Sequence, residues 1–248
     1  MSPGKISFRG NEIENLIGNI SFPQMIWMMV RGGLPTNEEA SLFEAALVAG
    51  VDHGPQAPSI AAARMAATCG VGINNAMATG INMLGDIHGG AGEQCAELFY
   101  EISLRIDNGA TFEKAIQEAL REWESGNGKI ISGFGHRFHK PIDPRAPRLL
   151  ELVRLAAKEN IVSGKYADIA EAIQSHLSIK KDIAMNIDGA TAVIFCELGF
   201  PAPLSRGLFC LSRSVGILSH AWEQIEQGGR NKGPMPPKYL PKYILKNT

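Results

Sequence analysis

Four short segments set a histidine or an aspartate beside glycine: Asp52-His53-Gly54-Pro55, Asp86-Ile87-His88-Gly89-Gly90-Ala91, Gly133-Phe134-Gly135-His136-Arg137 and Asn186-Ile187-Asp188-Gly189-Ala190. Glycine lets backbone approach a ligand closely, and imidazole and carboxylate side chains exchange protons, so these segments suit acid–base work on a bound small molecule. Each also has a plainer reading. Asp188, ahead of Gly-Ala-Thr, has the chemistry of a helix N-cap, and His88 and His136 can be ordinary loop histidines. Asp143-Pro144 reads as a helix start, which would leave Arg145 a surface charge. His136-x-x-His139 could chelate a metal, but no cysteine lies nearby and no metal is expected. His176, among polar neighbours, is expected to face solvent, and His220, in a helix with Trp222, to be structural.

The elements that must position these segments are helical. Ser21 with Gln24 forms a capping box that opens a run through Met25, Ile26, Met28, Met29 and Val30, stopped by Gly32-Gly33. Thr36 with Glu39 forms a second, opening a helix that should end near Gly50. Phe112, Ala115, Ile116, Ala119 and Trp123 follow a helical stripe, as do Tyr166, Ile169, Ala170, Ile173 and Leu177. Asp143-Pro144, as N-cap and N1, leads into Leu149, Leu150, Val153 and Ala156. Lys129–Ser132 is the single short strand candidate, so the expected fold class is all-α. Gly126–Gly135, the most glycine-rich loop, suits a hinge around a smaller middle domain. The tail GPMPPKYLPKYILKNT cannot begin as a helix and is expected to wrap over a surface or a neighbouring subunit.

The chain has 248 residues, 45% hydrophobic and 20% charged, which is an ordinary globular composition. Lys plus Arg is 24 against 25 for Asp plus Glu, so no basic surplus exists for a nucleic-acid backbone. Cys69, Cys95, Cys196 and Cys210 are scattered without a CxxC pair, the pattern of reduced core thiols in a cytoplasmic protein. The opening MSPGKISFRGNEIE lacks an apolar core of signal-peptide length, so no export is expected. Met65–Gly85 carries no charge, but its Asn, Thr and Gly content suits a buried helix with small contact residues rather than a membrane span.

In order along the chain, IHGGAGE, GFGHRFHKPIDPRAP, NIDGA and LSRSVGILSHAWEQ resemble the citrate synthase superfamily. The N-terminal ISFRGNEIENLIGNISFPQMIWMMVRGGLPT is similar to the first helices of its bacterial members. The spacing of nine between His136 and Arg145 is the most diagnostic part. Typical citrate synthases carry a long extra helical region between the LPT segment and the D-H motif. Here Leu34–Thr36 reaches Asp52-His53 in fewer than twenty residues. That shortening, with VDHGPQAPS, resembles the citryl-CoA lyase module of ATP-citrate lyase and free-standing bacterial citryl-CoA lyases.

The resemblance implies an all-α enzyme of two domains, a large dimerisation domain from residues 1–90 and 190–248 and a small CoA-binding domain from 91–189. It also implies closure over the substrate near the glycine loops. It casts Asp188 as the base at an acyl-CoA methyl carbon, His88 as donor to the thioester oxygen and His136 as donor to the oxoacid carbonyl. His53, Arg145 and Arg213 would hold the carboxylates and carbonyl of a 2-oxoacid or tricarboxylate. Gly133, Phe134 and Gly135 would face CoA through their backbone, with Lys140, Lys180 and Lys181 at its phosphates, although a Lys180–Lys181 pair is usually just a solvated face. No permanently bound cofactor, nucleic acid or membrane is expected. A homo-oligomer built on a dimer is expected, with Met65–Gly85 and its Gly70, Gly72 and Gly80 at the interface. The partner subunit's substrate arginine has no counterpart in Arg230-Asn231-Lys232-Gly233. A citrate or 2-methylcitrate synthase that hydrolyses the thioester is the rival enzyme, and a non-catalytic acyl-CoA sensor the rival of another class.

Overall fold

The computed structural model describes residues 3–179, 183–233, 235–242 and 244. Among them are eleven α-helices and one hairpin, Ser7–Phe8 (β1) with Asn11–Glu12 (β2), so the all-α expectation holds. Lys129–Ser132 is not a strand: the Trp123 indole donates to the Ile130 carbonyl at 2.9 Å, and the Phe134 amide to that of Ile131 at 3.2 Å. Those carbonyls serve a turn rather than a ladder.

The chain divides into two compact units. The first takes residues 1–50 and 90–209. It holds α1 (Ile13–Leu16), α2 (Phe22–Arg31), α3 (Asn37–Gly50), α6 (Ala91–Asp107), α7 (Phe112–Asn127), α8 (Arg145–Lys158), α9 (Lys165–Ser178) and α10 (Ile187–Glu197). Both capping boxes form: Ser21 Oγ accepts from the Gln24 amide and Thr36 Oγ1 from the Glu39 amide, each reciprocated by the longer side chain. Gly32 ends α2 at φ 92°, a left-handed conformation that favours glycine.

Helix α10 is apolar on nearly every face and is the centre of this unit, packed by α3, α6, α8 and α9. Aromatic rings tie the N-terminal helices to its C-terminal end: Trp27 meets Phe200 edge-on at 4.8 Å, and Phe43 stacks on Phe200 at 5.2 Å. Arg31 lies over both Trp27 and Phe200 and donates to the Leu198 and Gly199 carbonyls at 2.9 and 2.8 Å. This cluster explains why residues 1–50 group with the middle of the chain, whereas the sequence reading set them with 190–248.

The first turn of α9 has no side-chain cap of its own, because Gly164 stands at the cap position. Glu197, at the end of α10, serves instead. Its Oε2 accepts from the Ser163 and Gly164 amides at 3.1 and 2.9 Å, and its Oε1 from the Tyr166 amide at 2.8 Å. Glu197→Ala is expected to cost about 2–3 kcal/mol, more than an ordinary cap because a charged acceptor is lost from several donors. Urea unfolding measures it, and a loss below about 0.5 kcal/mol would reduce the contact to a surface ion pair in effect.

The second unit takes residues 51–89 and 210–248, with α4 (Pro58–Ala67), α5 (Ile73–Asn82) and the later turns of α11 (Ala202–Glu226), whose first turns belong to the other unit. A Cβ on Gly80 would stand 2.8 Å from Ile217 and 2.9 Å from the Ser59 carbonyl. The close approach at Gly80 therefore joins α4, α5 and α11 of one chain. Met65–Gly85 is not a single buried helix but parts of two short ones, with Ala76 and Gly80 the buried positions of α5. The tail is anchored where the Asn231 amide donates to the Thr68 carbonyl at 2.8 Å, and a 3-10 turn follows at Pro237–Tyr239. Among the described residues no helix is long and apolar enough to cross a membrane. Cys95 and Cys196 are buried as expected, but Cys69 is exposed because it follows the last turn of α4.

Candidate active site

In the first unit, two glycines bring the His136 loop onto the start of α10. A Cβ on Gly133, whose φ is +86°, would lie 2.5 Å from Cys95 Sγ and 2.9 Å from Gly189 Cα. A Cβ on Gly189 would lie 2.5 Å from the Gly133 carbonyl oxygen. Only residues without side chains allow this interlock. It is pinned by the Asn186 amide donating to the Gly133 carbonyl at 3.0 Å and Asn186 Nδ2 donating to the Gly135 carbonyl at 2.6 Å. Phe134 bridges to Met185 through backbone and its ring is buried.

The N-cap of α10 is Asn186, not Asp188. Asn186 Oδ1 accepts from the Asp188 amide at 2.9 Å and the Gly189 amide at 3.3 Å. Asp188 stands half-buried in the first turn.

His136 Nδ1 accepts from two backbone amides, Phe138 at 3.0 Å and His139 at 2.9 Å. An amide N–H only donates, so the neutral ring carries its proton on Nε2 and presents a donor there. Burial pushes the His136 pKa down, followed by the neighbouring His139 and Arg145, with Asp143 opposing them. The His136 and His139 rings lie 4.4 Å apart. Both line a cavity of about 550 Å³ with Gly135, Lys140, Asp143 and Met185.

The formal N-cap position of α8 falls to Pro144, yet Asp143 caps the helix as its place before Pro144 suggested: Asp143 Oδ1 accepts from the Arg145 amide at 3.1 Å, and the same carboxylate turns to the Arg145 side chain. Arg145 donates to it through Nε at 2.9 Å and Nη2 at 2.8 Å, a bidentate fork. The Ile187 amide donates to the same carboxylate at 3.1 Å, which ties the arginine to the first turn of α10. Burial alone would raise the Asp143 carboxyl, but the Arg145 fork and the Ile187 amide hold it below its ordinary range. Arg145 is therefore no surface charge.

In the second unit, His88 Nε2 accepts from the Ser59 amide at 3.2 Å and lies 3.0 Å from Ser59 Oγ. The neutral ring then carries its proton on Nδ1, the opposite tautomer to His136. Burial lowers the His88 pKa and the Arg213 charge lowers it further. Arg213 is only 5% exposed. A Cβ on the next glycine of the same helix, Gly216, would stand 2.2 Å from the Val51 carbonyl, so α11 presses directly on the Asp52-His53 segment. Asp52 accepts from the Gly54 amide at 3.0 Å and pairs with His220 Nε2 at 3.2 Å. His176 is exposed as expected.

His136, Arg145, Asp188, Gly133, Phe134, Gly135 and Lys140 belong to the first unit, and His53, His88 and Arg213 to the second. Lys180 and Lys181 lie outside the described residues. Sequence reading missed Ser59, Asn186 and the orienting role of Asp143. Asn186 had a signal, a capping residue ahead of a helix; Ser59 had none, since its partner is 29 positions away.

Residues 35–235 match the family model described as citrate synthase, C-terminal domain. The citrate synthase of Saccharolobus solfataricus is 31% identical over 84% of this chain and 54% of its own length. The chain spans about half the length of the curated relatives it matches. Among solved structures, citryl-CoA lyase from Hydrogenobacter thermophilus is 31% identical with a TM-score of 0.82, over 97% of this chain and 90% of that one. Citrate synthase from Thermoplasma acidophilum, solved with carboxymethyl coenzyme A and oxaloacetate, is 26% identical with a TM-score of 0.72, over 92% of this chain and 59% of that one. With the family model covering most of its length and the histidine, arginine and aspartate motifs in order, this chain belongs to the citrate synthase family.

Proposed function

We propose that this chain is a citryl-CoA lyase-like enzyme that breaks or forms the bond between an acetyl-CoA methyl carbon and the carbonyl carbon of oxaloacetate or a related 2-oxoacid. The carrying observation is that backbone amides donate to Nε2 of His88 and to Nδ1 of His136, which leaves each neutral ring a donor at its other nitrogen. A thioester α-proton is far less acidic than a carboxylic acid, so Asp188 can remove it only if the enolate oxygen is met by a donor as charge develops. His88 is that donor, and His136 meets the oxoacid oxygen as it alternates between carbonyl and hydroxyl. In condensation the methyl proton goes to the Asp188 carboxylate, the carbon–carbon bond forms, and the new alkoxide takes the proton of His136 Nε2. In cleavage the hydroxyl proton returns to His136 as the carbon–carbon bond breaks, and the protonated Asp188 gives its proton to the enolate carbon.

Arg145, fixed by Asp143, and Arg213, with His53, bind the carboxylates and carbonyl. CoA lies along the Gly133–Gly135 backbone with Lys140, and residues 91–189 act as the CoA-binding domain. The lyase reading is supported by the likeness to citryl-CoA lyase over nearly all of both chains. The protein works as a homo-oligomer built on a dimer, with Met65–Gly85 part of its interface.

Incubation with citryl-CoA, followed by mass spectrometry, tests the reading. Acetyl-CoA plus oxaloacetate is expected; free CoA plus citrate would make the chain a hydrolysing synthase, and CoA binding without turnover an acyl-CoA sensor. Ser59→Ala is expected to lower kcat about three- to tenfold with KM little changed, because the Ser59 amide still fixes the His88 tautomer and only the hydroxyl contact is lost. A hundredfold fall would assign the hydroxyl itself to the chemistry.

A further inference from the structure

We propose that His139 is a specificity-determining residue, whose ring donates to the second carboxylate of a dicarboxylic 2-oxoacid while His136 meets the carbonyl oxygen. This deepens the reading of the reaction given above and rests on it. His139 stands three residues after His136, in the loop that Gly133 locks against α10. The two rings lie 4.4 Å apart with a tilt of 40°, and both face the cavity of about 550 Å³. A ring nitrogen of one lies within 4.8 Å of a ring nitrogen of the other. In oxaloacetate, two carbon–carbon bonds of about 1.5 Å each separate the carbonyl carbon from the carbon of the second carboxylate. Its carbonyl oxygen and an oxygen of that carboxylate therefore fall within about 5 Å of one another. The paired rings span the same distance, so a molecule held at its carbonyl by His136 brings its second carboxylate to His139.

The other groups of this cavity are committed elsewhere. Asp143 has the wrong sign of charge, and its oxygens already accept from the Arg145 amide and fork and from the Ile187 amide. Arg145 turns Nε and Nη2 to Asp143 and Nη1 toward the Ala49 carbonyl at 3.5 Å, so its remaining donors suffice for one carboxylate, not two. Pro141, Ile183 and Met185 line the wall with apolar side chains. Lys140 is exposed and serves coenzyme A in the reading above. His139 is half-buried, where a hydrogen bond to a carboxylate counts for more than it does in water. Imidazole keeps an N–H in both its neutral and its cationic form, so the contact requires no particular charge on the ring.

Two thioesters test the role. Citryl-CoA yields oxaloacetate on cleavage, whereas citramalyl-CoA, with a methyl group in place of the carboxymethyl group, yields pyruvate. His139→Leu is expected to lower kcat/KM for citryl-CoA about tenfold to a hundredfold, and that for citramalyl-CoA by less than about threefold. His139→Gln, whose amide still donates, is expected to recover most of the loss. Where turnover of citramalyl-CoA is below detection, its inhibition constant against citryl-CoA supplies the same comparison. Both variants keep the backbone amide from which His136 Nδ1 accepts, so a merely structural role would show as equal losses on the two thioesters. Equal losses would overturn the proposal, as would a citryl-CoA value within about threefold of the parent in His139→Leu, which would leave the discrimination to Arg213 or Lys140. A parent protein that cleaves neither thioester would overturn the reading of the reaction itself, and the role of His139 with it.

Discussion

Asp188→Asn is expected to slow both cleavage of citryl-CoA and its formation by about a thousandfold or more, while coenzyme A binds within about threefold of the parent protein. Asparagine keeps the size and shape of the side chain, and the amides of this turn stay satisfied because Asn186, not Asp188, accepts from them. The fold and the Gly133–Gly189 interlock are therefore left intact. The loss falls on a single property, the ability to take and return a proton at carbon. Titration calorimetry with coenzyme A and a citryl-CoA progress curve measure the two quantities separately. A rate within tenfold of the parent would remove Asp188 from the role of base. A rate loss matched by an equal loss of coenzyme A binding would make it a binding residue instead.

The capping boxes at Ser21 and Thr36, the amphipathic stripes of α7 and α9 and the stop at Gly50 were legible because each is a local device whose partner lies within one or two turns. What sequence periodicity cannot register is a contact between distant segments. The arene cluster that draws α2 and α3 onto the end of α10 joins residues more than 150 positions apart, and it moved the unit boundary to Gly50. The site shows the same split. His136, Asp188 and Arg145 were singled out by motif, but that Asn186 accepts from the amides at the start of α10 and that Asp143 holds the Arg145 fork were not. Asp143 and Asp188 each had a plain reading as a cap, because Asp at a Pro-led helix start and Asp before Gly-Ala each satisfy a capping rule taken alone. Ser59 shows the limit: its amide is an orphan of a helix start, and only folding reveals that His88 takes it.

His88→Ala is expected to lower kcat about 100- to 1,000-fold, the usual worth of one donor aimed at a developing oxyanion. The pH dependence gives a second, independent reading of the same residue. Donation from Nδ1 with Nε2 accepting from Ser59 requires the neutral ring. Burial and the Arg213 charge lower the His88 pKa from its ordinary 6.5. The sign follows: the neutral, competent form persists below pH 6.5, and kcat falls only as pH drops through the lowered pKa. Protonation there would set an Nε2–H against the Ser59 N–H, opposing two donors where one acceptor stood. The wild-type profile should therefore stay flat from about pH 8 to below the ordinary histidine value. An acid limb at or above pH 6.5 would mean that the ring works as a cation, and a loss under tenfold in His88→Ala would take it out of the oxyanion role. Since His136 is also held low, the two limbs overlap in the wild type, and the alanine variant separates them: its residual rate keeps only the limb that belongs to His136.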